Sequence, residues 1–279
     1  MLKHKRTVSK KKKATRIGFA VAGVAGAAVV AATSAQAIVG GTPTRIDKNS
    51  FLVMIRYDGN KFCAGTAISR TQVATGASCL MHADRPESAE VIAGRTNALD
   101  EKQGIKVTPD GWWFPQTYSD YSYYDNKGKN ANVPTNDIAV LHLSEPLPSD
   151  YKTVKWVPSG FKYKAGTEAR ILGWGTTSEE QDETTGELRE ANVDVLPNSA
   201  CAAAYQGDYK SGKMICAGKP EGGVDACKHD AGGPLLVSDG KEELLAGIVS
   251  WGEGCAEPGN PGVYTKVSTF AGDLAALPN

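Results

Sequence analysis

Within residues 38–279 three histidines, His82, His142 and His229, are the candidates for a general base near neutral pH, a role imidazole fills more often than any other side chain. His229 opens the run His229-Asp230-Ala231-Gly232-Gly233-Pro234. His142 sits in Leu141-His142-Leu143, an alternation that places it on a strand face, and His82 lies three residues past Cys79. Pairing His229 with Asp137 as a zinc site lacks a third ligand at recognisable spacing, and there is no Cys-x-x-Cys. The six cysteines fit three disulfides in an oxidising compartment, with fifteen pairings open.

The 31 basic and 31 acidic residues balance, but they are segregated. Residues 1–37 hold eight Lys/Arg and no acid, so residues 38–279 hold 23 basic against 31 acidic groups, a net of −8. That excess argues against nucleic-acid binding, which needs a cationic face to displace counterions. Residues 1–37 read as an export signal: a basic stretch through Arg16, an uncharged Ala/Gly/Val-rich run, then Ala35-Gln36-Ala37 with small residues where signal peptidase reads. The run is too short and too rich in Ala and Gly for a stable membrane span. Secretion and an extracellular location are therefore expected, with no membrane association after the signal is removed. Cleavage after Ala37 would leave Ile38-Val39-Gly40-Gly41 as the N-terminus.

The elements that must position any site are strands. Short apolar runs at 51–57, 91–93, 138–143, 169–172, 244–249 and 262–267 recur between Gly, Pro, Asn and Asp clusters, the pattern of an antiparallel all-β chain. Residues 267–277, with apolar positions at helical spacing, are the one good helix candidate. Residues 112–124 concentrate seven aromatics, of which the tyrosines suit a contact surface. Residues 179–190 carry six acids and one base and read as a solvated loop.

Several motifs in order resemble the chymotrypsin/trypsin-like serine proteases, in particular secreted bacterial trypsins. They are Ile38-Val39-Gly40-Gly41, Asn136-Asp137-Ile138-Ala139, Gly173-Trp174-Gly175, Met214-Ile215-Cys216-Ala217-Gly218, Ser250-Trp251-Gly252 and Pro261-Gly262-Val263-Tyr264. The resemblance implies a fold of two packed six-stranded antiparallel β-barrels with a short C-terminal helix. It divides the chain into the signal (1–37), an N-terminal barrel of about 38–155, a C-terminal barrel of about 156–266 and a helix of about 267–277. It selects Cys63–Cys79, Cys201–Cys216 and Cys227–Cys255. It implies no cofactor and no metal.

The same resemblance assigns the site. Asp137 is the retained triad acid. The histidine motif reads Thr75-Gly76-Ala77-Ser78-Cys79 here, with Ser78 at the histidine position. Ala231 stands at the nucleophile position. His229 replaces the glycine that supplies an oxyanion donor, and its side chain is expected to project toward that hole. Asp225 would floor a pocket for Arg or Lys, with Ala226 beside it, Gly252 and Gly262 at its walls, and Ser250-Trp251-Gly252 pairing with substrate backbone. Asp230 would pair with a new Ile38 ammonium.

Because triad members act as a unit, these departures lead to the expectation that the chain is not an enzyme. It would be an inactive homologue binding peptides, proteins or protease inhibitors that present Arg or Lys. The loop 118–136, long for the family, would overhang the cleft. The alternative is an active endopeptidase cleaving after Arg or Lys by a rearranged site, of which a Ser78–His229 dyad is one form.

Overall fold

The computed structural model describes residues 38–57, 61–81, 83–124 and 130–278. Residues 1–37, read as an export signal, His82 and the tip of the tyrosine-rich stretch lie outside them. Along the chain run β1 (Thr42–Pro43), β2 (Leu52–Tyr57), β3 (Lys61–Ala67), β4 (Gln72–Thr75), β5 (Glu90–Ala93), β6 (Ile105–Val107), β7 (Pro109–Trp113), β8 (Ser119–Tyr124), β9 (Asn130–Thr135) and β10 (Ala139–Leu143). There follow β11 (Glu168–Gly173), β12 (Arg189–Val195), α1 (Asn198–Tyr205), β13 (Met214–Gly218), β14 (Pro234–Ser238), β15 (Glu243–Trp251), β16 (Gly262–Lys266) and α2 (Ala271–Ala276). All six apolar runs read from the sequence form strands.

The strands make two large antiparallel sheets. The first runs β6-β5-β2-β3-β4-β10-β7. The second runs β1-β12-β11-β14-β15-β16-β13 and closes into a barrel through β12–β13. The fold is thus the expected pair of barrels, the first nearly closed. Closure leaves few open edges to pair with other chains. Thr42 and Pro43 pair with Glu190 and Arg189 of β12, so the N-terminal segment joins the second sheet before the chain builds the first.

Burial explains the β pattern. Leu52, Val53, Met54 and Ile55 of β2 are all buried, as are Leu235, Leu236 and Val237 of β14. Such strands read as continuous apolar runs because both faces are covered. Cys63–Cys79, Cys201–Cys216 and Cys227–Cys255 are the three disulfides, as the resemblance selects. They fit an oxidising compartment.

Two elements differ from expectation. Helix α1 was not anticipated, since only Cys201 and Tyr205 of it are buried, a stripe too narrow to show as helical periodicity. Its alanines favour helix, and Cys201–Cys216 together with Tyr205 Oη donating to the Pro261 carbonyl (2.6 Å) dock it. The stretch 118–136 is not a plain loop either. β8 and β9 pair as a hairpin from Ser119↔Thr135 to Tyr124↔Asn130. Its Val133 is fully buried with Tyr205, Tyr209, Met214 and Val263, against Trp251. The C-terminal helix forms, but over Ala271–Ala276, after a 3-10 turn at Val267–Thr269.

Candidate active site

Asp137 lies where the two sheets meet. Asn136 before it takes a left-handed conformation (φ 55°), which asparagine tolerates, and its Nδ2 bonds the Thr117 carbonyl at 2.8 Å. The following Ile138, Ala139 and Leu141 have no exposure, so apolar burial anchors the turn. The carboxylate itself is wholly buried. Ser78 meets it twice, the amide donating to Oδ1 at 2.8 Å and Oγ to Oδ2 at 3.0 Å. Ser78 sits on a single 3-10 turn, Ala77–Cys79, pinned by Cys63–Cys79. From the other barrel Ser250 Oγ donates to the same Oδ2 at 2.6 Å. Burial pushes the Asp137 carboxyl above its usual range, and the hydrogen bonds from Ser250 and Ser78 work against that rise. Thr265 Oγ1 donates to the Asp137 carbonyl (2.6 Å), fixing the backbone from β16.

The turn carrying Asp230 and Ala231 is built on glycines. The Asp230 carboxylate takes the Gly175 amide at 2.8 Å on Oδ1 and the Cys227 amide at 3.0 Å on Oδ2. A Cβ at Gly173 would stand 1.9 Å from Oδ1, and one at Gly175 would stand 2.4 Å from Oδ2. The two glycines of Gly173-Trp174-Gly175 therefore exist to admit a buried carboxylate. Burial raises its pKa to about 7. Ile38 is fully buried, and Val39 exchanges backbone hydrogen bonds with Asp225 (3.0 and 3.2 Å).

His229 departs from the sequence expectation. Its backbone adopts φ 72°, a conformation natural to glycine. Its ring does not point into an oxyanion hole. It stacks on Phe62, with centroids 5.1 Å apart, and Nε2 is 2.8 Å from the Asp182 carbonyl oxygen. The imidazole is thus held by the aromatic face and by the acidic loop, which is further tied by Lys228 Nζ–Asp182 at 2.7 Å. A Ser78–His229 dyad is not formed. Among the described residues the amides of His229 and Ala231 donate to no backbone carbonyl, so both stay available to an oxyanion.

Beside this turn lies a cavity of about 300 Å3 lined by Asp225, Ala226, Ser250, Trp251, Gly252 and Gly262, reaching His229 and Ala231 at its mouth. Asp225 is 3% exposed. It accepts the Ala226 amide at 2.8 Å and the Ala256 amide at 3.4 Å. No cation pairs with it among the described residues, and burial raises its pKa to about 7. A Cβ at Gly262 would come within 2.5 Å of its Oδ1. At Gly252 a Cβ would meet only ordinary contacts, the nearest atom being 3.8 Å away. A pocket with a carboxylate floor and glycine walls admits a long side chain ending in a cation.

Residues 38–272 match the family described as Trypsin. This chain belongs to the trypsin family. It is 36% identical to a trypsin of Saccharopolyspora erythraea over 84% of this chain and 94% of that one. A trypsin-like protease of Streptomyces glaucescens is 33% identical over 95% of this chain and 91% of its own. Trypsin eta of Drosophila erecta is 34% identical over 88% of this chain and 93% of its own. These matches correct the expectation that the chain is not an enzyme: trypsin-family relatives covering nearly its whole length are named as trypsins and a protease. The residue types at 78, 229 and 231 are still serine, histidine and alanine. What falls is the inference from them to a chain without activity.

For a trypsin-family reading the structure adds contacts the sequence did not show. Ser250 was read as a backbone-pairing residue, yet its hydroxyl bonds Asp137 directly. Phe62 and Asp182 decide where His229 points. Tyr118 is half-buried, and its phenol is pushed upward by burial and by the Asp137 and Asp120 charges. The contacts of Ser250 with Asp137 and of His229 with Phe62 and Asp182 join residues far apart in sequence, so no local signal marks them. His142 lies apart from this site, its Nδ1 2.6 Å from Asp110 Oδ1.

Proposed function

We propose that the chain is a secreted serine-type endopeptidase directed to Arg and Lys, working through a rearranged site. The observation that carries the reading is Asp225, a buried carboxylate without a cationic partner at the floor of a side-chain-sized cavity. A guanidinium or ammonium entering there supplies the missing charge. The mouth of the same cavity holds the free amides of His229 and Ala231 and the Ser250 hydroxyl.

The nucleophile in this reading is Ser78. Its Oγ bonds the scissile carbonyl carbon while its proton passes to Asp137 Oδ2, 3.0 Å away. Collapse breaks the C–N bond, and the proton goes from the Asp137 carboxyl to the departing amine. Water repeats the sequence on the ester. A carboxyl raised by burial is a stronger base than an ordinary carboxylate. Ser250 holds it from the opposite barrel. Without an imidazole, turnover is expected on the order of 10⁴–10⁶ below that of a complete triad.

The test is hydrolysis of a fluorogenic arginyl amide by purified protein, with Ala231→Gly as a control against contaminating protease. Turnover that scales with protein and is lost in Ser78→Ala and in Asp225→Asn is expected. None above background in wild type overturns the endopeptidase reading. N-terminal sequencing of the exported form tests secretion, with Ile38 as the expected first residue.

The Asp225 pocket also favours a binding role in the same place. Peptides, proteins or protease inhibitors presenting Arg or Lys in an extended segment are its proposed partners, with Ser250, Trp251 and Gly252 pairing along their backbone. The hairpin whose Val133 packs against Trp251 stands beside that strand as a further contact surface.

A further inference from the structure

We propose that the face formed by Lys162, Lys164, Lys210, Lys213 and Lys266 is an exosite for an anionic polysaccharide. The five lysines are brought together by the fold. Lys266 on β16 bonds its amide to the Lys213 carbonyl (2.8 Å), and the Lys213 amide bonds the Lys210 carbonyl (2.8 Å). Lys266 Nζ lies 5.2 Å over the ring of Tyr163, the residue between Lys162 and Lys164. Lys162 and Lys266 line a cavity of about 500 Å3 with Ser159, Asn198, Ser268 and Thr269. That cavity is separate from the one holding Asp225.

The charge on this face is uncompensated. Several lysines elsewhere are paired: Lys106 with Glu90, Lys155 with Glu242, Lys219 with Asp194, Lys228 with Asp182. Among the described residues none of these five is within ion-pair distance of a carboxylate. The ammonium groups rest on neutral acceptors and rings instead: Lys266 on the Ser211 carbonyl at 3.3 Å, Lys213 at 5.3 Å over Phe270, Lys210 on the Gly207 carbonyl. Residues 38–279, these five lysines included, carry an excess of eight negative charges, so a concentration of cations here is not the background of a basic surface.

The aromatic rings decide between polyanions. Single-stranded nucleic acids bind through rings on which bases stack. Here Tyr163 is covered by Lys266, with Phe161 set against it edge-on at 5.1 Å, and Phe270 is covered by Lys213. With the rings so occupied, the face offers cations and hydroxyls, which suit the sulfate, carboxylate and hydroxyl groups of a charged glycan.

The experiment is binding to immobilised heparin, used as a sulfated polysaccharide, across a series of salt concentrations. The variant is Lys162→Gln with Lys213→Gln and Lys266→Gln, and a second is Lys162→Gln with Lys164→Gln, both exposed. A control is Lys48→Gln with Lys102→Gln and Lys241→Gln. Each engaged lysine contributes about one unit to the slope of log affinity against log salt. The triple variant should lose about three units of slope, the double about two, and the triple should bind at least about tenfold more weakly at physiological salt. The control should match wild type. Equal losses in variant and control, no loss in either, or no binding at all would overturn the proposal, since binding would then be diffuse, carried by the basic residues before Arg16, or absent. Competition by single-stranded DNA as effective as heparin at equal charge would overturn the choice of glycan.

Discussion

Replacing Asp225 with Asn tests the centre of the functional reading. The cavity around it is closed by Gly262 and the Cys227–Cys255 bridge and holds no compensating cation among the described residues. Benzamidine, cationic over the whole range of interest, fits its floor. Removing one partner of a buried charge pair costs about 2–5 kcal/mol, or roughly 30- to 4,000-fold in affinity. The pH dependence is the sharper readout. Asp225 is raised to about 7 by burial, and only its ionised form attracts the amidinium. Competence is therefore present above that pH and lost as pH falls through it. At pH 5 about one pocket in a hundred is ionised, so apparent affinity should be about 100-fold weaker than at pH 9. Calorimetric titration at several pH values, in wild type and Asp225→Asn, measures both effects. An affinity flat from pH 5 to 9, or unchanged in the variant, would refute the reasoning that this carboxylate is the pocket's recognition element.

Three further outcomes are expected. In a chain retaining the residues before Ile38, Asp230 is raised to about 7, so its contribution to stability is full below about pH 4 and lost as pH rises through 7. Asp230→Asn should then recover up to about 4 kcal/mol at pH 8 and little at pH 4, whereas in a chain starting at Ile38 with a paired ammonium it should destabilise; thermal melts at both pH values decide. Gly173→Ala puts a Cβ 1.9 Å from the Asp230 carboxylate and should abolish folding or lower the melting temperature by more than about 8 °C, while a change under 2 °C would show the turn to be looser than described. Ser250→Ala removes the 2.6 Å donor to a fully buried Asp137 and should cost about 1–3 kcal/mol in denaturant unfolding, with Ser250→Thr retaining part of it.

The amino-acid sequence by itself determined the strand runs, the division of charge and the cysteine content, because these follow from local composition and period. Motif order then selected the disulfide pairs. Gly173 and Gly175 were visible as a motif, but the reason for them, the Asp230 carboxylate seated against both, exists only once the second barrel closes. The helix Asn198–Tyr205 was hidden because a disulfide and one tyrosine dock it, in place of a broad apolar face. His229 shows the limit most clearly. Its identity was plain in the sequence, and a side chain at that place was expected to fill the space beside Ala231. Tertiary structure turned it outward, because Phe62 of one barrel and the carbonyl of Asp182 after the other's first long strand offer stacking and a hydrogen bond together. Likewise Ser78 and Ser250 lie 59 and 113 residues from Asp137 in sequence and share its carboxylate only in the folded chain. Residue types set what chemistry is available; the packing of two barrels decides which of those groups meet, because hydrogen bonds to a buried charge depend on distance and direction that no local pattern encodes.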